Sequence, residues 1–234
     1  MPKYQKVSII IPVYNERATI ETLLSQVQAA DTLGLKKEII LVDDHSTDGT
    51  MEFVKNLNSE NLKVFVHEKN QGKGGALHTG FDHASGDIVV IQDADLEYDP
   101  AEIHKVLQPF FDSNAQVVYG SRYLNPSEGL GFWHSFFNKA FTQLGNLLIG
   151  QKITDLMTCY KAFTRPALSS FVSKLESKRF GFEPEVTARV ARAGFKIVEV
   201  PISYSPRSHG EGKHMNFKGQ VESLGALIKY SLFK

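Results

Sequence analysis

The sequence predicts an α/β fold, with a mostly parallel sheet covered by helices on both faces. Short β-branched apolar runs alternate with amphipathic, helix-like segments along the first half of the chain. The apolar runs are continuous, which is typical of strands buried on both faces of a parallel sheet. In such sheets, ligands bind beyond the C-terminal ends of the strands. The residues that follow each strand are therefore the first candidates for a functional site.

The predicted elements follow one another as strand and helix. Val7–Ile11 is the first strand, and the helix after it, Ala18–Ala30, has apolar residues at helical spacing. The next pairs are Glu38–Val42 with Asp48–Leu57, Leu62–His67 with Gly74–Ala84, and Ile88–Gln92 with Ala101–Phe111, before a last strand at Val117–Tyr119. Asp48 opens its helix and is interpreted as an N-cap.

Two amphipathic helices are predicted in the second half of the chain. Residues 132–149 place Trp133, Phe137, Phe141, Leu144 and Leu148 on one helical face, and polar residues interrupt the run, so it cannot span a bilayer. This helix either meets a membrane surface or packs in a core or homodimer. The second stretch is Phe217–Phe233. We expect a single domain over residues 1–234.

Charge and cysteine content exclude several classes of protein. The 26 Lys and Arg residues balance 26 Asp and Glu residues, which argues against a nucleic-acid partner. The one cysteine, Cys159, allows no disulfide within the chain and fits a reducing compartment; it is assigned to buried packing. The apolar run near the N-terminus is too short for a signal peptide. A cytoplasmic location is therefore expected.

The sharpest pair of candidate residues is Asp93 and Asp95, which follow a buried strand. Two carboxylates so close repel each other unless a cation neutralises them, and hard oxygen ligands suit Mg²⁺ or Mn²⁺. Glu97 could be a third ligand, and a solvated acidic turn is the other interpretation. In the segment NQGKGG, Lys73 stands either near a phosphate at a helix N-terminus or in a flexible turn.

The motifs PVYNE, VDDHSTDGT, NQGKGGAL, a strand ending in DAD, and GSR occur in this order and at characteristic spacing. Together they resemble the family 2 glycosyltransferases, which have the GT-A fold. Within this family, residues 7–215 most resemble the branch that contains dolichyl- and polyprenyl-phosphate mannose or glucose synthases. The resemblance implies a nucleotide-sugar-binding half over about residues 1–122 and an acceptor-side half over about 123–234.

The resemblance also implies roles for individual residues. A nucleotide-sugar donor would be bound by Pro12, Tyr14, Glu16, Val42, Asp44, Lys73 and Ala94, with Asp44 reading the base. Asp93 and Asp95 would hold the metal at the diphosphate, and Glu97 stands where related synthases often have Gln. Arg122 would face an acceptor phosphate or the donor. Arg207 and Lys213 belong to a loop, RSHGEGK, expected to close over the diphosphate.

The resemblance implies an inverting, metal-dependent transfer of a hexose from a GDP-mannose or UDP-glucose type of donor to polyprenyl or dolichyl phosphate. It also implies that the enzyme is peripheral on the cytoplasmic membrane face. A phosphate monoester is largely ionised at pH 7 and needs no general base. The alternative acceptor is a hydroxyl of a glycan, lipid or small molecule, which needs one. Asp155 could position the sugar, act as that base or cap a turn. Glu183 either lines the acceptor side or supplies charge at a helix N-terminus.

Two other classes of protein compete with a glycosyltransferase. A nucleotidyltransferase would have a Gly-rich basic loop after its first strand, where this chain has PVYNE. A binding module without catalysis would not need the Asp93 and Asp95 pair together with Arg207 and Lys213.

Overall fold

The structure of the protein, a computed structural model, describes residues 3–124, 132–207 and 217–233, without the side chains of residues 132–134, 217 and 218. The strands are β1 (Lys6–Val13), β2 (Lys36–Asp43), β3 (Leu62–Val66), β4 (Ile88–Ile91), β5 (Val117–Ser121), β6 (Lys161–Thr164) and β7 (Ile197–Pro201). The helices are α1 (Ile20–Ala29), α2 (Thr50–Lys55), α3 (Lys73–His83), α4 (Ile103–Asp112), α5 (Phe132–Ile149), α6 (Arg165–Ser169), α7 (Phe182–Arg192) and α8 (Phe217–Ile228).

The strands form one sheet in the order β3-β2-β1-β4-β6-β5-β7. All neighbours are parallel except β6, which runs antiparallel to both β4 and β5. At the centre of the sheet, Ile9 of β1 pairs with Ile39 of β2 and with Val90 of β4. The mostly parallel sheet that the sequence predicts is confirmed.

Helices cover both faces of the sheet, and β1 shows how the core is divided. Ile9 and Ile11 belong to a core cluster with residues of α1 and α4, whereas Ile10 belongs to the cluster on the other face with residues of α3 and α7. The continuous apolar run of β1 thus fills two core layers. Helix α3 lies close to β1 at Gly80, because a Cβ there would collide with Ile10.

Four elements between residues 161 and 201 were not predicted: β6, α6, α7 and β7. In β6 and α7, buried charged residues hide the apolar periodicity on which the prediction depends. Lys161 begins β6 and is buried, with its ammonium donating to the backbone carbonyls of Leu156 and Thr158. The first turn of helix α7 contains Glu183 and Glu185, and both are buried. β6 and β7 join strands of the first half, so the acceptor-side half of the sequence contributes to the same sheet.

Helix α5 spans the residues predicted for it, and its apolar residues are shared between two environments. Phe141 and Leu148 pack against a small cluster formed by Ile153, Leu156 and Leu227. Phe137 and Leu147 are 61% and 82% exposed. Helix α8 continues into a π-helical turn at Lys229–Phe233. No helix in the described ranges has the length and apolar character needed to cross a membrane.

Candidate active site

A cavity of about 390 Å³ lies at the C-terminal ends of the strands, where the sequence places the site. Its lining includes ten of the predicted residues: Pro12, Tyr14, Glu16, Asp44, Lys73, Asp93, Ala94, Asp95, Glu97 and Arg122. Glu183 and Cys159 also line it, and Cys159 is half-buried at this surface as well as packed on the core. Buried in the core, Val42 is not among the lining residues. Lys213 lies outside the described residues.

Asp44 organises the loop that leads into α3. Its Oδ1 accepts a hydrogen bond from the backbone NH of Gln71 at 2.8 Å, and its Oδ2 accepts one from Gly72 at 2.7 Å. The Nδ1 atom of His67 lies 2.7 Å from the same Oδ1. Asp44 is only 2% exposed, so its carboxylate is largely committed to holding this loop. Its role in reading a nucleotide base stays a prediction.

Lys73, the first residue of α3, is paired with acidic side chains. Its Nζ lies 2.7 Å from Asp93 Oδ1, 2.9 Å from Asp93 Oδ2 and 3.4 Å from Glu183 Oε1. Burial alone would lower the pKa of Lys73, but Asp93, the nearby Cys159 and Glu183 raise it well above its usual value. Lys73 is therefore a charged group inside the cavity. Glycine precedes it because Gly72 has a φ of +86° and a Cβ there would collide with the carbonyl oxygen of Lys178.

The DAD turn, residues 93–97, concentrates negative charge. Burial and the neighbouring carboxylates of Asp93 and Glu97 raise the pKa of Asp95 to about 7. Within the described ranges, no three His, Cys, Asp or Glu side chains are grouped as metal ligands would be. The charge of the turn nevertheless fits a divalent cation held by Asp93 and Asp95, because a cation would relieve their mutual repulsion.

Glu97 and Arg207 connect the segment that follows β7 to this turn. Glu97 Oε2 accepts a hydrogen bond from the hydroxyl of Tyr204 at 2.8 Å, and Oε1 accepts one from the backbone NH of Arg207 at 3.2 Å. Arg207 Nη2 lies 2.6 Å from Glu16 Oε2, and its Nε donates to the carbonyl of Asp95. Arg207 is thus placed between the first and fourth strand ends, beside the predicted donor residues.

Asp155 holds Arg122 at the wall of the cavity. Arg122 Nε and Nη2 donate to the two carboxylate oxygens of Asp155 at 2.7 and 2.8 Å, and the backbone NH of Arg122 donates to Oδ2 at 3.2 Å. Arg122 is 5% exposed and Asp155 is fully buried. Asp155 is in turn oriented by Glu199, which accepts from the backbone NH groups of Thr154 and Asp155. Asp155 is not among the residues that line the cavity.

Sequence reasoning named Glu183 of the unassigned helix α7 but missed another cavity residue, Tyr204. Tyr204 follows β7, whose C-terminal end lies at the same edge of the sheet as those of β1 and β4. The strand-end rule would have found it if β7 had been assigned. The prediction that Asp48 is the N-cap of α2 is wrong, because Gly49 occupies that position. Asp48 lies one residue earlier, and its Oδ1 accepts a hydrogen bond from the backbone NH of Thr50 at the start of the helix.

A model of the family described as Glycosyl transferase family 2 matches residues 8–171. The chain is 34% identical over 211 residues to the dolichol-phosphate mannosyltransferase of Pyrococcus furiosus, with 89% of this chain and 59% of that protein covered. It is 31% identical over 217 residues to the undecaprenyl-phosphate 4-deoxy-4-formamido-L-arabinose transferase of Edwardsiella ictaluri, with coverage of 90% and 63%. The chain therefore spans about three-fifths of the length of these relatives.

Solved structures share the fold. Glucosyl-3-phosphoglycerate synthase from Mycobacterium tuberculosis, in complex with Mn²⁺, uridine diphosphate and glucosyl-3-phosphoglycerate, matches with a TM-score of 0.73 at 22% identity, over 97% of this chain and 80% of that one. Mannosyl-3-phosphoglycerate synthase from Rubrobacter xylanophilus matches with a TM-score of 0.71 at 18% identity, over 97% and 72%. These matches confirm the GT-A fold that the motifs predict.

Proposed function

Because the chain belongs to glycosyl transferase family 2, we propose that it transfers a hexose from a nucleotide sugar to a polyprenyl phosphate. The observation that carries this proposal is the Arg122–Asp155 pair. It presents a fixed guanidinium to the cavity while both oxygens of Asp155 are committed to that guanidinium. The named relatives that act on dolichol phosphate and undecaprenyl phosphate support the same class of acceptor.

The donor side is proposed to be the region between the ends of β1, β2 and β4. Asp93 and Asp95 would hold Mg²⁺ or Mn²⁺, which when bound neutralises charge on the diphosphate leaving group. Lys73 and Arg207 add two cationic side chains to the same region, and Glu16 orients Arg207. The donor is expected to be of the GDP-mannose or UDP-glucose type, with Pro12, Tyr14, Asp44 and Ala94 beside the nucleotide.

The acceptor side is proposed to bind a phosphate monoester at Arg122. This group is already largely ionised at pH 7, so that it can attack the anomeric carbon without a general base. Its oxygen displaces the nucleoside diphosphate in one step, and the configuration at the anomeric carbon inverts. Asp155 holds the guanidinium in one orientation through Nε and Nη2, and arginine is well suited to hydrogen bond phosphate oxygens.

Contact with the cytoplasmic face of a membrane is proposed for the exposed side of α5. Phe136, Phe137 and Leu147 are 54%, 61% and 82% exposed there, and such a patch is typical of a surface that contacts a membrane or another protein. A lipid-linked phosphate would have to reach Arg122 from a bilayer, which favours the membrane. The second possibility for this face is a homodimer.

Transfer to a hydroxyl is the second candidate function, and Glu183 is the observation that favours it. Its carboxylate lines the cavity, 3.4 Å from Lys73 Nζ and 3.6 Å from the sulfur of Cys159. A carboxylate so placed could accept the proton of a hydroxyl acceptor. In this candidate function, Glu183 rather than the buried Asp155 would be the general base.

A transfer assay distinguishes the two functions. Radiolabelled GDP-mannose and UDP-glucose, each with Mn²⁺, are incubated with short-chain polyprenyl phosphate or with the corresponding polyprenol, which carries a hydroxyl in place of the phosphate. We expect product only with the phosphate, and Glu183→Gln should retain that activity. Product with hydroxyl acceptors only, together with loss of turnover in Glu183→Gln, would replace the first proposal by the second.

A further inference from the structure

The loop at residues 176–180 packs against the start of helix α3. The backbone carbonyl of Lys178 accepts a hydrogen bond from the backbone NH of Gly74 at 2.8 Å. The carboxylate of Glu185, which is fully buried, accepts hydrogen bonds from the backbone NH groups of the first two residues of this loop. The 176–180 loop is therefore held by α3 on one side and by α7 on the other.

Arg179 extends from this loop along the wall of the cavity, next to Asp44. Its side chain lies over Gly72, because a Cβ on that glycine would come within 2.7 Å of Arg179 Cγ. Arg179 Nη2 donates to Asn70 Oδ1 at 3.2 Å, and Asn70 Nδ2 donates to the backbone carbonyl of Asp44 at 3.2 Å. The guanidinium of Arg179 and the carboxylate of Asp44 thus belong to the same part of the cavity wall.

The carboxylate of Asp44 has one acceptor position left for a ligand. An ionised carboxylate offers about four lone-pair positions and donates no proton. Among the described residues, the backbone NH of Gln71 and Nδ1 of His67 contact Oδ1, and the backbone NH of Gly72 contacts Oδ2. The remaining position is on Oδ2, beside the cavity that Asp44 lines.

This wall fits a base edge that presents one N–H donor next to a carbonyl oxygen. Uracil has such an edge, since its N3–H lies between two carbonyl oxygens. A guanidinium carries five N–H donors, of which Arg179 has one in a described hydrogen bond, so it can donate to one of these oxygens. Guanine presents two donors side by side, and a single acceptor position leaves one of them unpaired. Cytosine presents an acceptor at N3, which would face the carboxylate of Asp44.

We propose that Asp44 and Arg179 recognise a uracil base, so that the sugar donor is a uridine diphosphate sugar. Asp44 Oδ2 accepts the hydrogen bond from N3–H, and Arg179 donates to a neighbouring carbonyl oxygen of the base. This inference deepens the proposed function, on which it rests for the presence of a nucleotide sugar. An unpaired buried donor weakens binding by about 10- to 100-fold, so the choice between bases is measurable.

The first test measures the Kd of four nucleoside diphosphates by isothermal titration calorimetry, each with Mn²⁺ present. UDP should bind at least tenfold more tightly than CDP, which has the same ribose and diphosphate, and at least tenfold more tightly than GDP. Inosine diphosphate lacks the 2-amino group of GDP. It should bind at least as tightly as GDP, because that amino group finds no acceptor on Asp44.

The second test separates a contact with the base from a contact with the phosphates. Arg179→Gln should weaken UDP binding about tenfold, but it should change the Kd of ribose 5-diphosphate, which has no base, less than twofold. Arg192→Gln is the matched control. Arg192 is also exposed and also makes one described hydrogen bond, to the carbonyl of Tyr230, but it is not among the residues that line the cavity.

The proposal is overturned if UDP fails to bind at least tenfold more tightly than both CDP and GDP. It is also overturned if Arg179→Gln leaves the Kd of UDP unchanged, or weakens ribose 5-diphosphate as much as UDP. Transfer to polyprenyl phosphate from GDP-mannose alone would keep the proposed function and reject uracil. A preference for UDP without transfer of any sugar to polyprenyl phosphate would reject the proposed function and keep uracil.

Discussion

Both carboxylate oxygens of Asp155 accept hydrogen bonds from Arg122, and neither residue is more than 5% exposed. This geometry bears on the three roles that the sequence leaves open for Asp155. A general base needs an oxygen within reach of the acceptor proton, and here both oxygens face the guanidinium. The arrangement instead favours a positioning role, in which Asp155 acts on the acceptor through Arg122.

The first prediction concerns this pair. Asp155→Asn and Arg122→Lys should each raise KM for polyprenyl phosphate about tenfold or more, because each breaks the bidentate contact. The double variant should be little worse than either single variant, since contacting residues couple. Steady-state kinetics over a range of pH provide the measurement, with Asp112→Asn as an exposed control.

A different outcome would identify Asp155 as a base. In that case Asp155→Asn would lower kcat with little change in KM, and the acid limb of the kcat profile would disappear. If Asp155 instead positions Arg122 for the acceptor, Arg122→Lys should leave the affinity for the donor, measured as UDP binding, unchanged.

The second prediction concerns the metal. Asp95→Ala should cut kcat about 10²- to 10³-fold, as expected when a charge-stabilising group is lost. It should also remove the thermal stabilisation that Mn²⁺ and UDP together give the wild type, which is about 2.7 kcal/mol at a ligand concentration of 100 Kd. Asp99→Asn is the matched control, because Asp99 is a neighbouring exposed carboxylate that, within the described residues, accepts a hydrogen bond from the backbone NH of Ala101. Full wild-type turnover in excess EDTA would contradict this prediction.

The acidic pair could be predicted from sequence because it comes just after the continuous apolar run of β4, with only Gln92 between them. The contacts made by Lys73 and Asp44 could not be predicted from sequence. Lys73 is 20 positions from Asp93, and the loop that Asp44 holds begins 26 positions after it, so both contacts form only when the sheet is complete. Tyr204 was missed for a different reason: it follows β7, a strand that was not assigned from the sequence. Glu183 was a candidate even though the helix that carries it, α7, was not assigned.

The third prediction concerns stability, at the opposite ends of the strands from the site. Glu38 is 3% exposed and accepts from Lys6 at 2.8 Å, from Lys63 at 2.9 Å and from the backbone NH of Ser85 at 2.9 Å. Burial would raise the pKa of Glu38, but the bonds from Lys6, Ser8, Ser85 and Lys63 lower it well below its usual value. Glu38→Gln should therefore reduce the free energy of unfolding by about 2–4 kcal/mol at pH 7.

The pH dependence of that loss has a definite sign. A carboxyl with a lower pKa in the folded than in the unfolded state stabilises the fold above the unfolded pKa, which is about 4.3. This stabilisation is lost as the pH falls from the pKa of the unfolded state towards the lower pKa of Glu38 in the folded protein. Urea unfolding should consequently show the difference between wild type and Glu38→Gln shrinking below about pH 4. A difference that stays constant from pH 7 to pH 3 would show that the charge of Glu38 contributes nothing.

The last prediction concerns the exposed face of α5. Phe137→Ser combined with Leu147→Ser should weaken association with liposomes containing anionic lipid about tenfold or more. Burial of an exposed large apolar side chain stabilises binding by about 1–2 kcal/mol, and each 1.4 kcal/mol is a factor of ten. Phe111→Ser is the control, since Phe111 is a 40% exposed phenylalanine on α4. Co-sedimentation measures the binding, and sedimentation velocity measures the oligomeric state. If liposome binding were unchanged while a dimer dissociated in the α5 variant, this face would be a protein interface and the membrane contact would be wrong.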